Sequence, residues 1–325
     1  MAVTWPAVKN LLETAITESQ ATNTHIRDDL WDRCIGVLSK AELEHLRTTH
    51  IAVLGVGGIG MPLLELLVRA GAETITIVDK DSIDPTNLNR VPLAFPFTVG
   101  QQKVEVAELF MRLINPNVHI RKFQTITSIN VAEVLKGVDV VALTLDGLYS
   151  SLVTANYCRE HQIPFIEGWA LAGIMNARIF DPSGPSYEET YGLRITKKYD
   201  DLTEVDLKQL DQDFLVAISK LSQETTTHYT SEGLRLMMDG APRRSFGPFV
   251  WIISAILASE LVFKLVLNRA LPHKCAPDIF LYDYVRYLDL AKKGQRKQLR
   301  SQITEILNNR GSEKEKVDRL LKMML

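Results

Sequence analysis

Residues 55–60 read Gly-Val-Gly-Gly-Ile-Gly, a G-x-G-x-x-G pattern, and Asp79 follows 19 positions after the last glycine. Such a pattern acts through its backbone. Glycines let the main chain come close to phosphate oxygens, and the free N–H groups and positive dipole end of a helix start favour anions. A carboxylate closing the next strand is placed to accept hydrogen bonds from a ribose diol. The pattern has this meaning only between a strand and a helix. HIAVLG (50–55) supplies a short apolar strand. Gly57–Ala70 reads as a helix, with Pro62 in its first turn and Gly71 just past its end. TITIVD (74–79) supplies the second strand. These residues describe Gly55, Gly57, Gly58, Gly60 and Asp79 as a nucleotide cradle, and a dehydrogenase would use it as readily as any other enzyme.

The elements that must hold this cradle alternate. After TITIVD come a helix over 99–114, a strand near 118–123, the strand VDVVALT (138–144), a helix over 151–161 and a strand at 163–167. Strand and helix patterns alternating over this length predict an α/β chain with a parallel sheet, doubly wound by right-handed crossovers. Residues 183–246 are polar without a clear period and read as an excursion or lid. Phe249–Asn268 is apolar and long enough for a bilayer, but it contains Glu260 and Lys264 four residues apart. A charged pair at mid-span is costly in lipid, so the segment reads as a core or interface helix entered through Gly247-Pro248. A strand is expected at 279–284. The 325 residues carry a net charge of −2, so no global charge argues for nucleic acid or a membrane surface. Cys34, Cys158 and Cys275 form no CxxC pair, which suits a reducing cytoplasm. The first twenty residues lack the features of a signal peptide.

Beyond Asp79 the sequence resembles the ThiF, MoeB and HesA proteins, relatives of the ubiquitin-activating enzymes. The elements that carry the resemblance are GVGGIG, Asp79-x-Asp81, Asn87-Leu-Asn-Arg90, Gly100-Gln-Gln-Lys103, Asn115-Pro116 and Asp146. It runs from about Arg33 to Asp181 and returns at Gly247-Pro248 with ASELVFKLVL. It implies a Rossmann-like, mainly parallel sheet with a C-terminal extension and packing helix. It also implies three parts: an N-terminal helical segment (1–30), an adenylation domain (31–290) and a tail (291–325).

The implied chemistry is ATP-dependent adenylation of a carboxylate, with Mg²⁺ as cofactor. Two anions must meet in that reaction, so fixed cations are the protein's main contribution. Arg90 and Lys103 are the candidates. Asn87 can bond phosphate or ribose without adding charge, Asp81 belongs to the cofactor-binding set, and Asp146 can hold Mg²⁺ at the carboxyl edge of the sheet. Arg33, with Arg27 as competitor, matches a family arginine that acts in trans, which implies a homodimer. The implied partner is a small ubiquitin-like protein, sulfur carrier or peptide with a free C-terminal carboxylate.

The chain departs from the family in three respects. Val91 replaces a frequent glutamine after the arginine. The two zinc-binding CxxC pairs are missing, so no zinc is expected. No cysteine lies in 159–274, so no thioester step is expected. Cys158 reads as a small core residue. Cys275, next to His273 and Lys274, reads as an incidental cysteine whose pKa these neighbours could lower.

Three other readings stand beside adenylation of a protein or peptide. The first is a tRNA-modifying dehydratase, favoured only by the tail, which has ten Lys/Arg against four Asp/Glu. Leu299, Ile303, Ile306 and Leu307 recur there at helical spacing, which favours a packing helix over a nucleic-acid arm. The second is an NAD-linked oxidoreductase, which leaves Asn87, Arg90 and Lys103 without work. The third is a degenerate nucleotide-binding scaffold.

Overall fold

A computed structural model describes residues 3–22, 30–171, 174–221, 229–238, 244–269, 275–276 and 280–283. Arg27, His273, Lys274 and the tail 291–325 fall outside these residues. Seven strands form one sheet: β1 (His50–Leu54), β2 (Thr74–Val78), β3 (His119–Phe123), β4 (Val140–Leu143), β5 (Phe165–Leu171), β6 (Ile174–Phe180) and β7 (Phe280–Asp283). Their order across the sheet is β3-β2-β1-β4-β5-β6-β7. The first five pair in parallel, and β6 and β7 add antiparallel. The expected mainly parallel α/β sheet is therefore present, with strand order reversing between β1 and β4. That reversal opens a crevice above the carboxyl ends of these two strands.

Alternate residues of each strand face opposite layers. On one side Ile51, Val53, Ile75 and Ile77 meet helices α3 (Gly60–Ala70), α4 (Lys103–Ile114) and α10 (Gly247–Glu260) through Leu64, Met111, Ile253 and Leu257. On the other side Ala52, Leu54, Val141 and Leu143 meet α5 (Val131–Val134) and α6 (Leu148–Glu160). Helices α7 (Tyr187–Tyr191) and α8 (Glu204–Leu221) extend that second layer through Tyr187 and Leu210. Helix α1 (Trp5–Thr22) places Trp5 against the first layer, and α2 (Lys40–Thr48) enters β1 behind a Ser39–Glu42 capping box. The last helix described is α9 (Ser231–Met238).

The described residues of the polar stretch 183–246 thus include three α-helices that its composition concealed. Helix α10 runs on into a π-helical turn at Leu261–Val266, so the α-helical spacing assumed for Glu260 and Lys264 is not kept there. Gly247–Val266 is apolar and long enough to cross a membrane, but Ile253, Ser254, Leu257 and Leu261 are fully buried against the sheet. It serves as a core helix.

Strand β6 escaped the sequence reading, and it brings a charge into the core. Arg178 sits opposite Glu167 in the β5–β6 register, and both are buried. The Tyr191 hydroxyl donates to Glu167 Oε1, and the Arg178 guanidinium lies 4.9 Å over the Tyr191 ring. Burial pushes the Glu167 carboxyl up to about 8, against the opposing pull of Arg178. The native state therefore holds its proton where the unfolded chain has released it, and stability falls as pH rises from about 4.5 to about 8. Each pKa unit is worth ~1.4 kcal/mol, so the decline amounts to a few kcal/mol. Urea unfolding across this window should show the decline in the wild type and a flatter profile in Glu167→Gln.

Candidate active site

The glycine turn divides its work among its four glycines. Gly55 has φ +94, and a Cβ there would lie 2.5 Å from the Thr144 carbonyl oxygen. A Cβ on Gly60 would lie 1.7 Å from the Gly55 carbonyl oxygen. These two glycines let the first turn of α3 close onto β1 and β4. Thr144 locks the contact, with Oγ1 2.7 Å from Gly55 O and 3.0 Å from Leu54 O. A Cβ on Gly57 would meet nothing within 4 Å. Its surface is the part of the turn left open to a ligand. Gly58 faces the Arg90 side chain, whose Cδ would lie 3.1 Å from an added Cβ. Helix α3 begins at Gly60 rather than Gly57, because residues 57–59 form the turn itself.

Asp79 is buried, and both of its oxygens are engaged. Oδ2 accepts from Val56 N–H at 3.0 Å, and Oδ1 accepts from Asp81 N–H at 2.9 Å. Burial raises its pKa, and the nearby Lys103 charge counters that shift. The carboxylate ties the glycine turn to the end of β2. Lys103 opens α4 and is 7% exposed. Its Nζ sits 3.0 Å from Asp81 Oδ2 and 3.4 Å from Asp79 Oδ1. Residues 81–83 and 100–103 run alongside each other, with Ile83 N–H bonded to Gln101 O and Lys103 N–H to Asp81 O. That pairing brings Lys103 back to the strand end, so it is not a solvated helix terminus.

Arg90 follows a short turn at Pro85–Asn87. There Asp84 caps Thr86 N–H and the buried Asn87 accepts from Asp84 N–H. The Asn87 side chain thus shapes the loop that carries Arg90. The guanidinium donates to Thr86 O at 2.8 Å and Asn89 Oδ1 at 3.0 Å, and its stem crosses Gly58. It is not a surface ion-pair residue. Asp146 is exposed two positions beyond Thr144, and the cap position of α6 is Gly147, which makes no side-chain cap bond. Asp146 is therefore not spent as a helix cap.

The fold brings together the glycine turn, Arg90, Asp79, Asp81 and Lys103, with Asp146 on the strand end next to the turn. Arg33 stands apart. It is exposed on the single turn Asp32–Cys34, and among the described residues nothing ties it to the cradle. Val91 is buried in the main core with Leu93 and Ala94, so a glutamine's place is taken by packing.

No cysteine lies in the cradle. Cys158 is fully buried in α6, where desolvation raises its thiol to about 12. Cys275 is partly buried, and desolvation raises its pKa too, contrary to the lowering expected from its basic neighbours. Among the described residues no group of three His, Cys, Asp or Glu is placed to hold a metal ion.

Several contributors were invisible in the sequence motif. Thr144 is one. The others lie on α10. A Cβ on Gly247 would be 2.5 Å from Asn89 O, Trp251 Nε1 donates to Arg90 O at 2.7 Å, and Ser254 Oγ lies 2.8 Å from Ile59 O. The Gly-Pro at the helix entrance was the one readable signal of this contact.

Three similarities bear on this arrangement. A SAMP-activating enzyme E1 of Haloferax volcanii is 31% identical over 143 residues, covering 44% of this chain and 53% of that protein. A tRNA threonylcarbamoyladenosine dehydratase of Haemophilus influenzae is 34% identical over 126 residues, covering 38% and 48% respectively. The chain thus spans about half the length of these relatives. The crystal structure of E. coli MccB with AMPCPP and MccA superposes with a TM-score of 0.56 at 17% identity, covering 81% of this chain and 71% of that one. At that identity the likeness concerns the fold. The sequence pattern of one family extends over residues 32–299, and the glycine turn, the Arg90 loop and the α10 contact all fall within it. The chain belongs to the ThiF family.

Proposed function

We propose that this chain is an ATP-dependent adenylyltransferase. It activates the C-terminal carboxylate of a small ubiquitin-like or sulfur-carrier protein, or of a peptide, as an acyl adenylate. The observation that carries this reading is the Arg90 stem lying across Gly58, next to the open face of Gly57. The nicotinamide reading leaves Asn87, Arg90 and Lys103 without a shared task, whereas adenylation uses all three. The names of relatives agree: one is a SAMP-activating enzyme E1, and MccB was crystallised with AMPCPP and MccA.

In this reaction a carboxylate oxygen forms a bond to the α-phosphorus of ATP, and the bond from that phosphorus to the bridging oxygen breaks, releasing pyrophosphate. Gly57 leaves room for the phosphates above the start of α3, whose N–H groups favour them. Arg90 presents a fork of donors to the charge that builds on the phosphate oxygens. Lys103 is held in reserve between Asp79 and Asp81, and a triphosphate competes with Asp81, the more exposed of the two, for its ammonium. Asp146 is exposed and uncommitted, and Mg²⁺ is commonly held by one carboxylate together with substrate phosphates. That donor set fits this end of β4. Mg²⁺ there would neutralise phosphate charge. Arg33 acts from a second copy of the chain, which makes the working form a homodimer.

The test is pyrophosphate exchange into ATP with the ubiquitin-like and sulfur-carrier proteins of the same genome as acceptors. Exchange that requires an intact acceptor C-terminus is expected. No ATP binding at millimolar nucleotide with Mg²⁺ would end the reading. The dehydratase relative motivates a parallel assay with total tRNA as acceptor. Exchange with tRNA alone would move the substrate from protein to RNA.

A further inference from the structure

One stripe of helix α10 touches both jaws of the cradle. Gly247, Trp251 and Ser254 lie four and then three residues apart, so they share a helix face. Gly247 lets the helix start close to the Asn89 carbonyl, where a Cβ would have only 2.5 Å. Trp251 Nε1 donates to the Arg90 main-chain oxygen at 2.7 Å. Ser254 is fully buried, and its hydroxyl lies 2.8 Å from Ile59 O in the glycine turn and 2.8 Å from Val250 O in its own helix. The two jaws are more than thirty residues apart in sequence, and the atoms nearest an added Gly58 Cβ belong to the flexible stem of Arg90. Helix α10 links them rigidly, and its far side is anchored in the core through Ile253 and Leu257.

We propose that Trp251 and Ser254 are positioning residues. They set the gap between the Arg90 loop and the glycine turn, and so the span of phosphate that the two jaws grip. The proposal rests on Arg90 acting on the nucleotide, and its chemistry is narrow. An indole N–H has a single donor, and here that donor fixes the carbonyl of the residue that carries the guanidinium. Phenylalanine keeps an aromatic ring, smaller than the indole, and loses the donor. A Ser254→Ala change keeps the packing and removes the α10 contact from Ile59 O, which then keeps only its bond from Leu63 N–H.

Calorimetric titration of the full chain with ATP and Mg²⁺ tests this without any acceptor. It would be run on wild type, Trp251→Phe, Arg90→Ala and the double variant, with Ser254→Ala as an independent probe and urea unfolding as a control. Trp251→Phe should weaken ATP binding about fivefold, the net worth of one neutral hydrogen bond. Ser254→Ala should do similarly. In the Arg90→Ala background Trp251→Phe should have no further effect, because its action passes through Arg90. Unchanged affinity in both single variants, or an equal loss with and without Arg90, overturns the positioning role alone. If Arg90→Ala itself binds ATP like the wild type, the nucleotide reading of Arg90 falls with it. Should Trp251→Phe fail to fold, Ser254→Ala, alone and combined with Arg90→Ala, carries the same comparison.

Discussion

Arg90→Ala should cost roughly a thousandfold in ATP–pyrophosphate exchange, the usual penalty for removing a cation from a phosphoryl-transfer transition state. The folded protein should hardly notice. Among the described residues the guanidinium bonds a backbone carbonyl and a neighbouring amide of its own loop, and surface substitutions of this kind stay within about 0.5 kcal/mol. Arg90→Lys should recover part of the rate, since the charge returns without the planar fork. Exchange kinetics beside urea unfolding checks both halves. Lys103 is a poorer probe of the same idea. Its ammonium compensates Asp79, which is buried, so removing it would strand a carboxylate and cost roughly 3–5 kcal/mol of stability. A dead Lys103 variant would leave chemistry and folding entangled, whereas a dead and stable Arg90 variant separates them.

The second large effect belongs to Gly60. An alanine methyl there would sit 1.7 Å from the Gly55 carbonyl oxygen and 2.7 Å from Thr144 Oγ1, and the Gly55 backbone has no rotamer to yield. The first turn of α3 would have to lift off β1, breaking the junction of two core layers. We expect Gly60→Ala to lose more than about 4 kcal/mol, in the range that marks a defined structural failure. Gly57→Ala is the matched control, with nothing within 4 Å of the added methyl. It should unfold like the wild type while binding ATP more weakly, because the methyl occupies the open face of the turn. Urea denaturation and ATP titration of the pair separate a glycine required by the fold from one required by the ligand.

The parallel half of the fold was readable because its strands are short apolar runs punctuated by Gly and Pro, as in HIAVLG before the turn and Gly71 after α3. β6 was missed because IMNARIF follows another apolar strand almost at once and carries Arg178 at its centre, where a charge argues against a buried strand. Helix α8 was concealed by its many acidic residues, although Leu210, Phe214 and Ala217 do recur at helical spacing along the face that packs. In the site, residue types were legible and their partners were not. Nothing near Lys103 in sequence announces that it spans Asp79 and Asp81, more than twenty residues upstream. The Trp251–Arg90 bond closes a separation of 161 residues. Contacts of that kind depend on how α10 lies on the sheet, which no local pattern encodes.

One of the two edge strands, β3, has its own consequence for the behaviour of the molecule in a crowded cell. Among the described residues no strand pairs with its outer flank, and such a flank is a ready template for an intruding strand from another molecule. The sequence there is HIRKF, and its charges are occupied rather than loose. Lys122 bridges Glu105 at 2.8 Å and Glu108 at 2.6 Å, and Arg121 reaches over to the carbonyls of Glu133 and Lys136. An intruder would have to displace these tethers and bury what they hold. This rim is thereby guarded against fibrous stacking.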